Sequence, residues 1–130
     1  MQLDRNIRIL VVDDFSTMRR VVKNLLDDLG FSNVDEADDG VTAWPLIQTG
    51  QYEFIVSDLN MPEMSGLELL KRIREDVNLN TIPFLLITAE AKRSQFLEAS
   101  QLGVDGYIVK PFTAATLNNQ IEKIFENVVE

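Results

Sequence analysis

Five polar side chains fall where a parallel sheet would place its chemistry. Asp13 and Asp14 follow the apolar run of residues 7–12, Asp58 closes residues 53–58, Thr88 closes 83–88, and Lys110 follows 106–109. In open parallel sheets ligands bind outside the carboxyl ends of the strands, so position there carries more meaning than residue type. Were the first and third strands neighbours, Asp13, Asp14 and Asp58 would share one cleft, with Thr88 and Lys110 on its far wall. Three carboxylates so placed repel one another, and a proton or a cation must relieve them. The chain has no cysteine and no histidine, so only oxygen ligands remain, and these suit Mg²⁺. A lysine and a hydroxyl facing such a cation imply that an anion arrives as well, and phosphate fits all three.

An aspartate at a strand end has a second use, as the N-cap of the following helix. Asp38 and Asp39 read that way, and Asp14 taken alone could serve either purpose. Capping does not explain Asp58, because Pro62 and Gly66 place a loop before the next helix. Nor does it explain a lysine followed by proline at 110–111.

The elements that must carry these residues follow from the apolar period. Residues 7–12, IRILVV, form a continuous run of the kind buried on both faces of a sheet. Met18, Val21, Val22, Leu25, Leu26 and Leu29 then make one helical stripe over residues 15–29, stopped by Gly30. The alternation continues with strands at 34–37, 53–58, 83–88 and 106–109 and helices at 40–49, 65–75 and 91–102. In the last helix Leu117, Ile121, Ile124, Phe125 and Val128 form the stripe. Strict β-α alternation with short connections predicts an α/β fold, a doubly wound five-stranded parallel sheet with helices on both faces. Pro45 falls inside the second helix and predicts a kink or a late start there.

A length of 130 residues fits one domain with a real core, spanning residues 1–130. Its hydrophobic content of 45% and charged content of 25% are those of a globular protein. No apolar stretch reaches the roughly 20 residues that cross a bilayer, and Met1 to Asn6 is too short and polar for a signal peptide. The expected compartment is therefore the cytoplasm, without membrane insertion. Without cysteine or histidine there are no disulfides, thiolate chemistry, zinc sites or imidazole catalysis. The net charge of -9 opposes binding to nucleic acid.

VVDD at 11–14, SDLNMPEMSG at 57–66, LLITAEA at 85–91 and GYIVKPF at 106–112 resemble the four signatures of the response-regulator receiver domain, across essentially the whole chain. DDFSTMRR, ITAEAKR and VKPFTAATL are closer still to the single-domain chemotaxis regulators of that family. The resemblance implies the flavodoxin-like strand order 2-1-3-4-5 and a monomer. Asp58 would be the phosphoryl acceptor, loaded from a sensor histidine kinase of the CheA type. Asp14, Asp58 and the backbone carbonyl of Asn60 would hold Mg²⁺ directly, with Asp13 acting through a water. Lys110 would pair with the phosphoryl oxygens, Thr88 would hydrogen-bond them, and Tyr107 would turn inward as the switch. Asn60 and Glu90 would influence the hydrolytic water, and the Lys110–Pro111 bond would be cis. The implied output is binding to the flagellar motor switch protein FliM, with an auxiliary phosphatase of the CheZ type. Taken without the resemblance, Tyr107 is an ordinary strand aromatic and Pro111 a turn residue.

Four features depart from the chemotaxis pattern. Leu59 replaces the tryptophan that usually follows the acceptor, leaving Trp44 as the only tryptophan. Ser65 stands where aspartate is common, Ser94 and Gln95 lie on the fourth helix, and Asn118 to Gln120 are uncharged where charges are common. The last two bear on the output face and keep open a receiver that serves as a phosphate sink or in another two-component pathway. A small aspartate-dependent phosphatase finds no room for a cap domain in 130 residues. A flavin carrier of this fold lacks a phosphate-cradling loop after the first strand.

Overall fold

The computed structural model describes residues 4–128, with side chains through residue 126. Met1–Leu3 of the N-terminal segment and the side chain of Val128 lie outside the described residues. The elements run β1 Ile9–Val12, α1 Ser16–Asp28, β2 Val34–Ala37, α2 Gly40–Gln48, β3 Phe54–Asp58, α3 Gly66–Glu75, β4 Phe84–Thr88, α4 Arg93–Gln101, β5 Gly106–Val109 and α5 Ala114–Val128. The strands form one parallel sheet in the order β2-β1-β3-β4-β5, as expected.

Side chains alternate across each strand, and the two faces build separate cores. Leu10, Val12, Ile55 and Leu86 pack with Ala43 and Ile47 of α2, Leu70 and Ile73 of α3 and Ala99 of α4. Ile9, Val11, Val56 and Ile87 pack on the opposite face with Val22 and Leu26 of α1 and Leu117, Ile121 and Ile124 of α5.

Several boundaries move inward from the sequence expectation. β1 starts at Ile9 where residue 7 was expected, and α4 is Arg93–Gln101 where 91–102 was expected. Val21, placed in the buried stripe of α1, is 42% exposed, because the neighbouring Val22 and Leu26 take the centre of the face. The late start expected from Pro45 does not occur. α2 begins at Gly40 and continues through Pro45 to Gln48, because Asp39 caps it by accepting from the Thr42 amide while the Thr42 hydroxyl accepts from the Asp39 amide.

Two guanidinium groups tie the strands together where they begin. Arg8 donates to Asp35 before the middle of β2 and to Gln51 ahead of β3, and its guanidinium lies over the Tyr52 ring. Arg74 of α3 donates to the carbonyls of Asn80, Ile82 and Gly103 and to the Asp105 carboxylate. That carboxylate also accepts from the Phe84 amide, so one side chain spans the approaches to β4 and β5. At the first hub the Tyr52 hydroxyl donates to Asp35 at 2.6 Å, which holds the Asp35 carboxyl below its ordinary value. Burial first, then the Asp35 bond and charge, push the Tyr52 phenol up to about 12. The folded protein thus keeps a proton that the unfolded chain releases at lower pH. Tyr52→Phe is expected to cost about 1 kcal/mol at neutral pH. The wild-type advantage is full below the ordinary tyrosine value and disappears as pH rises through about 12. Denaturant unfolding of both proteins at pH near 8 and near 12 checks this.

Candidate functional site

The carboxyl edge of the sheet gathers the acids as the spacing predicted. One carboxylate oxygen from each of Asp13, Asp14 and Asp58 lies within 4.8 Å of the others. Asp13 and Asp58 are buried while Asp14 is exposed. The ladder continues past the strand ends, with the Asp13 amide donating to Ala37, the Leu59 amide to Ile87 and the Lys110 amide to Thr88. These backbone bonds fix the roots of the side chains. Lys110 reaches across the cleft, donating to Asp58 Oδ1 at 2.9 Å and lying 3.5 Å from Asp13 Oδ2. The Lys110–Pro111 bond is cis.

Asp14 does not cap α1: Phe15 holds that position without a side-chain bond, and Asp13 Oδ1 accepts from the Phe15 amide. Asp39 is a cap, as expected, whereas Asp38 supports it by accepting from the Thr42 hydroxyl. Asn60 is exposed in the loop from β3 to α3. That loop folds back tightly: the Met64 amide donates to Pro62 across Glu63, which has a φ of 65°. A Cβ on Gly66 would collide with the carbonyl oxygen of Asp58, so only glycine lets α3 start this close to the acid. Ser65 caps α3 by accepting from the Glu68 amide at 3.2 Å. A serine here therefore has a structural use.

Burial, and the charges of Asp13 and Asp14, push the Asp58 carboxyl above its ordinary value, and the Lys110 bond opposes them without cancelling them. Burial pulls the Lys110 ammonium down, but its bond to Asp58 and the charges of Asp58 and Asp13 raise it overall. One ammonium against three carboxylates leaves an excess of negative charge. The all-oxygen donor set fits a hard divalent cation such as Mg²⁺.

Thr88 is fully buried, donates its hydroxyl to the Glu90 carbonyl at 3.0 Å and accepts from the Glu90 amide. The Tyr107 ring is half-buried and meets Phe96 of α4 edge-on at 5.3 Å between centroids. Its hydroxyl is shielded from solvent in this structure and has no hydrogen-bond partner, and burial raises its pKa. Gln95 Oε1 on α4 and Asn118 Oδ1 on α5 are also buried and unpartnered. Among the described residues, every such orphaned side-chain atom thus lies on α4, β5 or α5.

Sequence reasoning missed Arg19, whose Nη1 donates to the Asp13 carbonyl at 2.6 Å while Nε donates to Glu36 of β2. The available signal was a basic residue one turn into the helix that follows the acids. No helix among the described residues is long and apolar enough to cross a membrane.

This fold and acid cleft are those of a phosphoacceptor module, and the chain belongs to the response regulator receiver domain family, whose pattern it matches over residues 9–122. It is 62% identical over 126 residues to chemotaxis protein CheY-3 of Vibrio cholerae serotype O1, covering 97% of each chain. It is 60% identical over 121 residues to chemotaxis protein CheY of Pseudomonas aeruginosa, covering 93% of this chain and 98% of the other. Among solved structures, chemotaxis protein CheY4 of Vibrio cholerae, crystallised at low pH, matches with a TM-score of 0.84 at 33% identity, covering 92% of this chain and 98% of that one. Membership places the chain in phosphorylation-based two-component signalling, with a histidine kinase as donor, and makes it a phosphoacceptor rather than an enzyme that turns over a metabolite.

Proposed function

We propose that the chain is a single-domain chemotaxis response regulator, phosphorylated on Asp58 by a CheA-type kinase and binding FliM in its phosphorylated form. The observation that carries this reading is the buried Asp58 carboxylate, bonded to Lys110 and grouped with Asp13 and Asp14 at one sheet edge. The names of the two chemotaxis relatives support the pathway.

An Asp58 oxygen attacks phosphorus, the bond from phosphorus to the donor's histidine nitrogen breaks, and its electron pair stays on that nitrogen. Asp13, Asp14, Asp58 and the Asn60 carbonyl would hold Mg²⁺, which neutralises phosphoryl charge when bound. Lys110, already on Asp58, moves its ammonium onto the incoming oxygens. Thr88 can donate to the phosphoryl group only by leaving the Glu90 carbonyl, and this releases the segment leading into α4. Tyr107 and Phe96 carry that release to the α4–β5–α5 face.

The deciding experiment is binding to the N-terminal segment of FliM with Mg²⁺, before and after loading by acetyl phosphate, beside Asp58→Asn. Tighter binding on loading, abolished in the variant, supports the reading. Normal loading without binding favours the phosphate-sink or other-pathway reading, for which the uncharged Asn118, Asn119 and Gln120 of α5 speak. A CheZ-type phosphatase would be recognised by faster loss of phosphate. Intrinsic fluorescence is expected to change little with Mg²⁺ or phosphate, because buried Leu59 follows the acceptor and Trp44 sits on α2. A Mg²⁺ titration at tryptophan emission, repeated on Asp58→Asn, tests this.

A further inference from the structure

We infer that Arg19 is a positioning residue for the cation seat, holding the peptide unit between Asp13 and Asp14 so that the exposed Asp14 carboxylate converges with those of Asp13 and Asp58. The inference rests on the proposed Mg²⁺ site. Asp13 needs little help: it is 3% exposed, and its carboxylate already accepts from the Phe15 amide and faces Lys110. Asp14 is exposed in the bend between β1 and α1, so its carboxylate is placed chiefly by the backbone that carries it. The Asp13 carbonyl belongs to that plane, and Arg19 Nη1 grips it at 2.6 Å through a charge-assisted bond.

Arg19 is itself anchored. Its side chain is 18% exposed, and its Nε donates to Glu36, which also takes Lys23 at 3.4 Å. The guanidinium thereby links the start of α1, the end of β1 and β2. An open cleft of about 270 Å³, lined by Arg19, Glu36, Ala37, Asp38, Thr42 and Leu46, adjoins it. A shortened side chain would leave water there in place of the guanidinium.

The two possible consequences of removing Arg19 have opposite signs. A guanidinium near a cation seat repels the cation, so loss of charge alone tightens Mg²⁺ binding. Loss of positioning weakens it. Calorimetric Mg²⁺ titrations of the wild type, Arg19→Met and Arg19→Lys, each first shown to be folded by thermal melting without Mg²⁺, separate the two. Arg19→Met is expected to bind Mg²⁺ about tenfold more weakly, as when a group that orients a metal ligand is lost. Loading by acetyl phosphate should then need more Mg²⁺ for half-saturation yet reach the wild-type plateau. Arg19→Lys, which keeps the charge but loses the two-point fork, should fall between them. Wild-type or tighter affinity in either folded variant overturns the inference. A wild type that binds no Mg²⁺ overturns the reading of the acid cluster and this inference with it, and is told apart by that control.

Discussion

Asp58→Asn is expected to abolish phosphoryl loading and, without Mg²⁺, to melt at a higher temperature than the wild type. The first effect follows from the proposed role of Asp58, whose attacking oxygen the variant lacks. The second follows from electrostatics: the wild-type carboxylate is buried beside Asp13 and Asp14, and its raised pKa says that folding disfavours its charge. A neutral side chain relieves this by roughly 1 kcal/mol, about 3–5 °C for a domain of this size. Because the folded pKa is raised, the penalty is present above it, and the gap between the two proteins closes as pH falls through it. Saturating Mg²⁺ should reverse the order, since a ligand at about 100 times its Kd stabilises by about 2.7 kcal/mol and the variant has lost one ligand. Melting curves with and without Mg²⁺, alongside mass spectrometry after acetyl phosphate, read both effects.

Arg74→Ala is expected to be among the most destabilising single substitutions outside the apolar cores, at about 3 kcal/mol. Five hydrogen bonds leave one side chain that is only 17% exposed. Their loss strands the part-buried Ile82 carbonyl, hands the exposed Asn80 and Gly103 carbonyls to water and leaves the Asp105 charge with only the Phe84 amide. Breaking a fully buried pair costs more, and the 32% exposure of the Asp105 side chain reduces the figure here. Arg74→Lys should recover less than half, because a single ammonium cannot span the loops that precede β4 and β5. Urea unfolding with an unchanged slope and a lower midpoint would show the loss to be one of stability.

The parallel sheet and the acid cleft were legible in the sequence because they are written in local patterns, whereas the strand order came only from the resemblance to receiver domains. β-branched runs end in polar residues, and the receiver signatures cover the rest. Where α1 turns its stripe was less legible: Val21 and Val22 are equally apolar, and only packing against the sheet decides which is buried. The late start that Pro45 suggested failed for a related reason, since the cap made by Asp39 and Thr42 fixes the start of α2 regardless of a later proline. The arginine hubs left no signature, and the Arg19 grip left only a basic residue one turn into the helix after the acids. Their acceptors are mostly backbone carbonyls and distant carboxylates, such as Gly103 at 29 positions from Arg74, and any residue type supplies a carbonyl. The shielded Tyr107 hydroxyl and the edge-on contact of its ring with Phe96 are likewise products of tertiary packing.

The hubs of Arg8 and Arg74 stand at the amino edge of the sheet, and the acids, Thr88 and Lys110 at the carboxyl edge. The two arginine hubs are therefore remote from the acid cleft, so substitutions around the cleft leave these tethers untouched. Exposed side chains at the working edge can change while the tethers at the other edge hold the strands in register. Such a division makes the molecule evolvable: a new kinase or a new target can be accommodated at one edge without renegotiating the architecture at the other.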